Sequence, residues 1–433
     1  MPIKLNTNSA DFEARFATII SESQNVLSDA APIVSDIIQR VINEGDAVLY
    51  ELTEKFDRCK LDTLAISPAK RDALAKKSTI TASLKEAANR IEAYHKKQLP
   101  EDCLYEDEVG VTLGWKWTAI ESVGIYVPGG LATYPSSVLM NAIPAKVAGV
   151  KRIVMVVPTP NGEISPDVMA AAKIANIDEI YTIGGAQAVA ALAYGTETIK
   201  PVDKIVGPGN KFVAEAKRQV FGKVGIDMIA GPSEILVVAD NKNNPEWMAI
   251  DLLSQAEHDS VARAILITDD EAFADAVEQA VEKQLQKLPK ETIARKSWEN
   301  NGAIIVIPSN SLSIEGEGWG EGANIINRIA PEHLELAIDN PEILLKRISN
   351  AGAIFLGRYT PEAIGDYVAG PSHVLPTSTS ARFSSGLGVF DFIKRSSIIG
   401  CSQEAFNKIA ADGIVIAEAE GLDAHAKSIK VRL

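Results

Sequence analysis

Gln255 and His258 close the segment DLLSQAEHD, whose residue types and spacing suit a metal ion. On a helix, side chains three residues apart share one face, so the amide oxygen of Gln255 and the imidazole of His258 can converge on one point. The alternative is a structural histidine at a helix end, where the helix dipole favours its charged form. This segment alone leaves both interpretations open.

Glu332 and His333 stand side by side in APEHLEL, where Pro331 indicates the start of a helix. An imidazole with a pKa near about 6.5 can accept a proton at neutral pH, and a neighbouring carboxylate can activate water. The pair therefore indicates acid–base chemistry at the border of a cleft. A purely structural helix start, with Glu332 near its positive end, fits the segment equally well.

Asp366 and His373 lie in a Gly- and Pro-rich segment, TPEAIGDYVAGPSHVLPT, which predicts a loop. Sites are usually built on loops at strand ends, and the carboxylate of Asp366 would complete a Gln, His and Asp set of ligands. His373 is expected to be a hydrogen-bonded structural residue or a group that faces the substrate. Glu420 and His425 belong to a charged tail, which by itself favours a solvated surface. His95, in IEAYHKKQLP, is likewise expected to be a solvated helix residue.

Three segments place glycines after an apolar strand and before a predicted helix. They are YVPGGLATYP at 126–135, IGGAQAVAALAYG at 183–195 and VGPGNKFV at 206–213. Free N–H groups at such helix starts can receive an anion, although tight turns between strand and helix need glycine in any case. Together the three turns indicate a nucleotide pocket at the carboxyl ends of the strands. No HExxH motif occurs, which argues against the common helical zinc proteases.

The pattern of apolar residues predicts an α/β fold. The first 120 residues show helical spacing, and short β-branched runs then alternate with Ala-rich helical stretches, as is typical of buried parallel strands. The predicted strands lie at 123–127, 152–157, 179–183 and 203–206, and then at 235–240, 262–268, 302–308 and 352–357. We therefore expect two doubly wound, Rossmann-like lobes, one inserted in the other, with an N-terminal helical segment and a C-terminal helical tail.

The same pattern gives domain boundaries. We predict an N-terminal segment at 1–20, a lobe with most of the metal site at 21–122 plus 234–375, an inserted nucleotide-binding lobe at 123–233, and a tail at 376–433.

Composition and charge exclude several classes of protein. Hydrophobic residues make up 46% and charged residues 23% of the 433, which is ordinary for a folded globular protein and unlike a disordered chain. The net charge of −14, without a basic cluster, argues against a nucleic-acid partner. The longest uncharged stretch, 122–145, contains three prolines, so we do not expect a membrane span. Separated cysteines and a start without a secretory signal predict a cytoplasmic protein.

Eight segments, in order, resemble the histidinol dehydrogenase family from about residue 20 to the C-terminus. They are VGIYVPGG, IGGAQAVAALAYGT, GPGN, GPSE, DLLSQAEHD, APEHLEL, GDYVAGPSHVLPT and EGLDAHA. The resemblance implies an NAD-dependent four-electron oxidation of L-histidinol, through the aldehyde, to L-histidine, with one zinc ion (Zn2+) per subunit. It also implies a homodimer with shared active sites, in which the tail of one subunit reaches the site of the other.

The resemblance further implies roles for individual residues. Zinc would be held by Gln255, His258, Asp366 and His425. His333 would accept the alcohol proton, and Glu332 would activate the water that attacks the aldehyde. Substrate contacts would come from Ser233, Glu420, His333 and the four zinc ligands. Contacts to NAD would come from Tyr126, Gln187 and Asn210.

Two other classes of protein share parts of this pattern. A zinc hydrolase could use the same metal ligands, with Glu332 as the base that activates water, and would not depend on NAD. A two-lobed metabolite-binding protein without catalysis would explain the inserted lobe. Such a protein, however, needs neither an acid–base pair nor three glycine turns.

Overall fold

A computed structural model describes residues 1–22, 30–129, 134–309, 311–312 and 319–433. Within these ranges, helices surround two parallel sheets and one antiparallel sheet, which confirms the predicted two-lobed α/β fold. The first of the three glycine turns is described only in part, because residues 130–133 lie outside these ranges.

The secondary structure is numbered here in chain order. The strands are β1 (Ile3–Asn6), β2 (Cys103–Glu106), β3 (Val111–Ala119), β4 (Ser122–Tyr126), β5 (Arg152–Val156), β6 (Glu179–Tyr181), β7 (Lys204–Val206), β8 (Gly225–Ile226), β9 (Glu234–Ala239), β10 (Arg263–Thr268), β11 (Ala303–Val306), β12 (His333–Ala337), β13 (Ala353–Leu356) and β14 (Ile393–Cys401). The helices are α1 (Phe12–Glu22), α2 (Ala31–Glu44), α3 (Asp46–Asp57), α4 (Pro68–Ala75), α5 (Thr81–Lys96), α6 (Pro135–Val147), α7 (Pro166–Ile174), α8 (Gly185–Tyr194), α9 (Lys211–Val220), α10 (Pro245–Ala256), α11 (Glu271–Leu285), α12 (Glu291–Asn301), α13 (Trp319–Ile329), α14 (Pro341–Leu345), α15 (Glu362–Ile364), α16 (Gln403–Ala419) and α17 (Asp423–Lys430).

The larger parallel sheet has the strand order β1-β11-β10-β9-β12-β13. Along β9, Ile235 and Val237 enter one apolar core, while Leu236 and Val238 enter a second core on the opposite face. Because helices cover both faces, β9 and β10 in the middle of this sheet are nearly continuous apolar runs, as the sequence predicted.

The smaller parallel sheet has the strand order β6-β5-β4-β7-β8. Its first four strands in the chain are those predicted from the sequence, and β8 is a short addition. Helices α8 and α9 start soon after β6 and β7, so the second and third glycine turns lie at the carboxyl edge of this sheet.

A third sheet, which the sequence did not predict, consists of β2, β3 and β14 in antiparallel pairing. Residues 103–119 had been assigned to a helical region, and that prediction was wrong. The sequence VTLGWKWTA of β3 has apolar residues at every second position, a signal of a strand that the helical prediction overlooked. Its partner β14 lies far along the chain, where local spacing gives no sign of the pairing.

The first helices pack against the smaller sheet. Helices α2 and α3 contribute Val34 and Leu49 to the apolar core that also holds β7 and α8. Helix α5 contributes Ile91 to the core that holds α6. The sequence had instead grouped residues 21–122 with the lobe of the larger sheet. The domain boundaries themselves stay a prediction.

Helix α5 buries His95, which the sequence analysis expected to be solvated. The imidazole is 0% exposed, and its Nδ1 lies 2.8 Å from the carbonyl oxygen of Ile91. Burial lowers the pKa of His95. The expectation was wrong because His95 follows the buried Ile91 by four residues and therefore shares its face of the helix.

The predicted tail, 376–433, contains β14 and ends in two helices, α16 and α17. Nζ of Lys408 in α16 donates to the carbonyl oxygen of Val109 at 3.3 Å, which ties the tail to the loop before β3. In the described ranges, every helix is too short or too polar to span a membrane.

Candidate active site

Three of the candidate residues, Glu332, His333 and Asp366, meet at the amino-terminal edge of the larger sheet. β9 begins at Glu234 and β12 at His333, and these two strands are parallel neighbours. Helix α10 follows β9 and returns to the same edge, where it ends just before His258. The site therefore lies at the edge opposite to the one at which open α/β sheets usually bind ligands.

His333 is the first residue of a strand and not part of a helix start, so that expectation was wrong. Leu334 and Leu336 of β12 enter the apolar core on one face of the sheet. Because side chains alternate along a strand, His333 and Glu335 point to the other face. The HLELA sequence fits this period of two, and β12 fills the position between β9 and β13.

The two ring nitrogens of His333 have different surroundings. Nδ1 lies 3.0 Å from the carbonyl oxygen of Glu234, and because a carbonyl only accepts, Nδ1 carries a proton. Nε2 is buried and lies 3.6 Å from Oδ1 of Asp366, just beyond hydrogen-bonding distance. Burial lowers the pKa of His333, but Glu362, Glu332 and Asp366 outweigh this effect and raise the pKa well above its ordinary value. Nε2 is thus the atom that gains the second proton of the ring. The three carboxylates favour the protonated ring, and Nε2 accepts a proton from a substrate in the neutral form of His333.

Glu332 is buried beside His333 and is held by the backbone of β9. Its Oε2 accepts a hydrogen bond from the N–H of Glu234 at 2.8 Å and lies 3.7 Å from Nδ1 of His333. Burial raises the pKa of Glu332 to about 8, although His333 acts in the opposite direction. A carboxyl group with a pKa near neutrality can both accept and release a proton, which suits the activation of water.

Asp366 reaches the same edge from a π-helical turn. Helix α15 ends at Ile364, and residues Gly365–Ala369 form a π-helical turn instead of the predicted loop. Burial raises the pKa of Asp366, but His333 outweighs this effect and the net pKa is lowered. One ligand atom each of His333, Glu362 and Asp366 lie within 4.8 Å of one another, a spacing that can hold a metal ion.

Gln255 and His258 add an amide and an imidazole to this edge. Gln255 is buried near the end of α10, and neither Oε1 nor Nε2 of its side chain has a hydrogen-bond partner in the described part of the chain. His258 follows the helix end and is exposed. Desolvation lowers the pKa of its ring, and the nearby charge of Asp366 opposes this lowering. His258 therefore supplies a donor close to Asp366, and Gln255 supplies a buried amide near the end of the same helix.

The other predicted substrate contacts are spread more widely. Ser233 directly precedes β9 at the same edge and is half-buried. Glu420 caps the end of α16 and His425 lies in α17, and both are exposed in the single chain. Within the described ranges, neither tail residue forms a hydrogen bond or ion pair with the residues at this edge.

The predicted NAD contacts lie around the glycine turns of the smaller sheet. The N–H of Gly185, which opens α8, donates to the hydroxyl of Tyr126 at 3.0 Å, and burial raises the pKa of Tyr126 to about 12. Gln187 is buried in the first turn of α8, and its Oε1 has no partner among the residues described. Asn210 caps α9 by accepting from the N–H groups two and three residues later. At α9 the cap already uses two N–H groups of the first turn, and at α8 the N–H groups that follow Gly185 can be offered to an anion.

Two carboxyl groups of the site, Glu234 and Glu362, were not singled out from the sequence. Burial raises the pKa of each to about 7, and Oε1 of Glu362 lies 3.6 Å from Nδ1 of His333. An acidic residue that opens an apolar strand is a signal that could have identified Glu234. No comparable pattern distinguishes Glu362 from other acidic residues.

The fold and this edge define a two-lobed α/β enzyme with a buried histidine–carboxylate centre. The profile of the family described as histidinol dehydrogenase matches residues 20–433. The chain therefore belongs to the histidinol dehydrogenase family.

Individual relatives agree with this membership. Histidinol dehydrogenase of Mesorhizobium japonicum is 56% identical, with 100% of both chains covered. Histidinol dehydrogenase 1 of Nostoc sp. is also 56% identical, over 99% of this chain and 98% of the relative. The crystal structure of histidinol dehydrogenase from Elizabethkingia anophelis has a TM-score of 0.92 at 36% identity, over 100% of this chain and 98% of that chain. The resemblance found in the sequence is thus confirmed, and neither the zinc hydrolase nor the binding protein is supported.

Proposed function

We propose that the chain oxidises L-histidinol to L-histidine in two steps at the amino-terminal edge of the larger sheet. The first step converts the alcohol to an aldehyde, and the second adds water and gives the carboxylate. Each step transfers one hydride to one NAD. The observation that carries the proposal is the pairing of His333, whose Nε2 is open, with Glu332, whose pKa is raised to about 8.

In the first step, Nε2 of His333 takes the hydroxyl proton as hydride leaves the adjacent carbon. The bond from Nδ1–H to the carbonyl of Glu234 fixes the orientation of the ring. A proton on Nε2 is stabilised by the carboxylate of Asp366, 3.6 Å away. NAD, when bound, supplies the hydride acceptor.

In the second step, Glu332 removes a proton from the water that attacks the aldehyde carbon. The hydrogen bond from the N–H of Glu234 to Oε2 of Glu332 holds the carboxyl group in position during proton transfer. As the water attacks, protonated His333 returns its proton to the aldehyde oxygen, which gives the diol and leaves Nε2 of His333 free. The diol then loses a hydroxyl proton to His333 as hydride leaves its carbon, and a second NAD, when bound, would supply the hydride acceptor. The products of this step are L-histidine, a second NADH and the protons that the two side chains release to water.

We further propose that zinc is held by Gln255, His258, Asp366 and His425. The residues fit such an ion, because a buried amide without a partner costs about 1 to 3 kcal/mol, which a ligand would offset. Their nitrogen and oxygen atoms are donors that zinc accepts. When bound, zinc would position the amino and imidazole nitrogens of the substrate, and Ser233 would contact the substrate from the start of β9.

We propose that the active enzyme is a homodimer in which the tail of each subunit completes the site of the other. Glu420 and His425 are exposed in the single chain, as an interchain role requires. The tail also exposes large apolar side chains, and Val415 and Ile416 are 65% and 59% exposed. Apolar surface of this kind is typical of a contact with another chain.

A cytoplasmic location stays a prediction.

Formation of NADH from L-histidinol, with zinc present, tests the proposed function. His333→Gln should lower kcat by about 10²- to 10⁴-fold, since it removes the proton acceptor. His95→Gln, which removes another buried histidine, serves as the control and should keep kcat close to that of the unchanged chain. No NADH from the unchanged chain, or full activity of His333→Gln, would contradict the proposal.

A further inference from the structure

We infer that a buried ion pair between Lys217 and Asp227 positions the third glycine turn, 206–213, so that it can bind NAD. This turn is called the Gly207 turn below. The inference rests on the NAD binding proposed above and adds two positioning residues to it. Lys217 lies in α9, and Asp227 directly follows β8. Their side chains are 2% and 0% exposed, and the ammonium and carboxylate groups are in direct contact.

The ion pair holds both backbone polar groups of Gly207. Nζ of Lys217 donates to the carbonyl oxygen of Gly207 at 3.1 Å. Oδ2 of Asp227 accepts from the N–H of Gly207 at 2.7 Å, and Oδ1 accepts from the N–H of Met228 at 2.6 Å. The position of this one glycine is therefore fixed from two sides by opposite charges.

Gly207 has a conformation that needs such support. Its φ of +110° is rarely adopted by residues with a side chain, and a Cβ atom there would lie 2.2 Å from the carbonyl oxygen of Tyr126. The turn thus packs closely on the end of β4. Because the hydroxyl of Tyr126 accepts from the N–H of Gly185, the same tyrosine connects the two described glycine turns.

Stability alone is a weak reason for a buried ion pair here. Removing two charges from water is costly, and well-packed apolar residues of similar size are often as stable. Apolar residues at positions 217 and 227, however, could not form hydrogen bonds with the N–H and C=O groups of Gly207. Three residues later Asn210, one of the predicted NAD contacts, caps α9, so the ion pair sets where Asn210 and the start of that helix lie.

Kinetics of two variants test the inference. In Lys217→Met and in the isosteric Asp227→Asn, we expect KM for NAD to rise about tenfold or more, because a small displacement of a binding turn is costly. KM for histidinol should stay within about twofold, since the larger sheet is untouched. If Lys217→Met does not fold, Asp227→Asn decides the outcome. An unchanged KM for NAD in a folded variant would overturn the inference.

Arg152→Met is the matched control. Arg152 and Glu179 form an ion pair of the same lobe, with Nε and Oε1 2.7 Å apart, at the first residues of β5 and β6. This pair lies at the amino-terminal edge of the smaller sheet, away from the glycine turns. The control should lose thermal stability without a change in KM for NAD. A rise in KM equal to that of the Lys217 variant would mean that any weakening of the lobe has this effect.

Hydrogen exchange of residues 203–213 without NAD separates this inference from the proposed function. The backbone amides of this segment should exchange faster in both ion-pair variants than in the unchanged chain or in Arg152→Met. Equal exchange in all four chains would overturn the inference. If the unchanged chain binds no NAD, the proposed function fails, and the exchange rates still decide whether the ion pair orders the turn.

Discussion

His333 has carboxylate oxygens of Glu332, Glu362 and Asp366 within 3.7 Å of its ring nitrogens. If all three carboxyl groups were ionised around one imidazolium, the buried site would carry a net negative charge. Burial accordingly raises the pKa of Glu332 to about 8 and that of Glu362 to about 7. Near neutral pH these groups can therefore exchange protons with a reacting substrate.

Glu332→Gln should separate the two oxidations. Glutamine can still accept a hydrogen bond from the N–H of Glu234, but it cannot take a proton from water. We expect oxidation of the aldehyde to slow by about 10²-fold or more, and oxidation of the alcohol by less than about tenfold. Rates measured separately from histidinol and from histidinaldehyde check this. An equal loss in both half-reactions would show that Glu332 does not activate the water.

The residue types of the site could be predicted from the sequence, but their surroundings could not. The resemblance singled out Glu332, His333 and Asp366, which the structure places at one edge. Glu362 was missed because the chain contains 57 acidic residues and burial of one of them leaves no local pattern. The orientation of His333 was also unpredictable, since it depends on a carbonyl group from another strand.

At the scale of elements, the site is formed where two parallel strands begin and one helix returns to them. Eight of the eleven described strands of the two parallel sheets were predictable, because their apolar runs are buried on two faces. The start of β12 was mistaken for a helix start, because Pro331 and Glu332, which directly precede it, suit the first turn of a helix. β1 was missed as well, since it is short and pairs with β11, which lies far along the chain.

The burial of His95 in helix α5 makes the free energy of unfolding depend on pH in the acidic range. Because burial lowers the pKa of His95 in the folded chain, the unfolded chain binds a proton first as the pH falls. The contribution to stability is therefore complete above the ordinary histidine pKa of about 6.5 and decreases below it, by up to about 1.4 kcal/mol per pH unit.

Urea unfolding at a series of pH values from 8 to about 5 measures this dependence. We expect the free energy of unfolding of His95→Gln to fall less steeply below pH 6.5 than that of the unchanged chain, whatever its value at pH 8. Parallel curves for the two chains would contradict a role for His95 in acid sensitivity.

At the scale of the whole molecule, the tail is a segment that exposes large apolar side chains in the single chain. Val415, Ile416 and His425 are all exposed, although the first two are apolar. A second subunit that covers the tail would bury this surface and bring His425 to a set of ligands otherwise supplied by the larger sheet.

Mixing Asp366→Ala chains with His425→Ala chains tests the shared site. In a mixed dimer, one of the two sites combines an intact Asp366 with an intact His425 from the other chain. Random mixing of equal amounts makes half of the dimers mixed, so about a quarter of the unchanged activity should return. Each variant alone should be inactive. No recovery in dimers shown to be mixed would place each tail in the site of its own chain.

The most direct test is the amount of NADH formed per L-histidinol, with histidinol limiting, NAD in excess and zinc present. Two oxidations at one edge of the larger sheet require two NADH for each histidinol, with L-histidine as the product. One NADH for each histidinol, together with accumulating aldehyde, would show that the edge formed by Glu332 and His333 completes only the first oxidation.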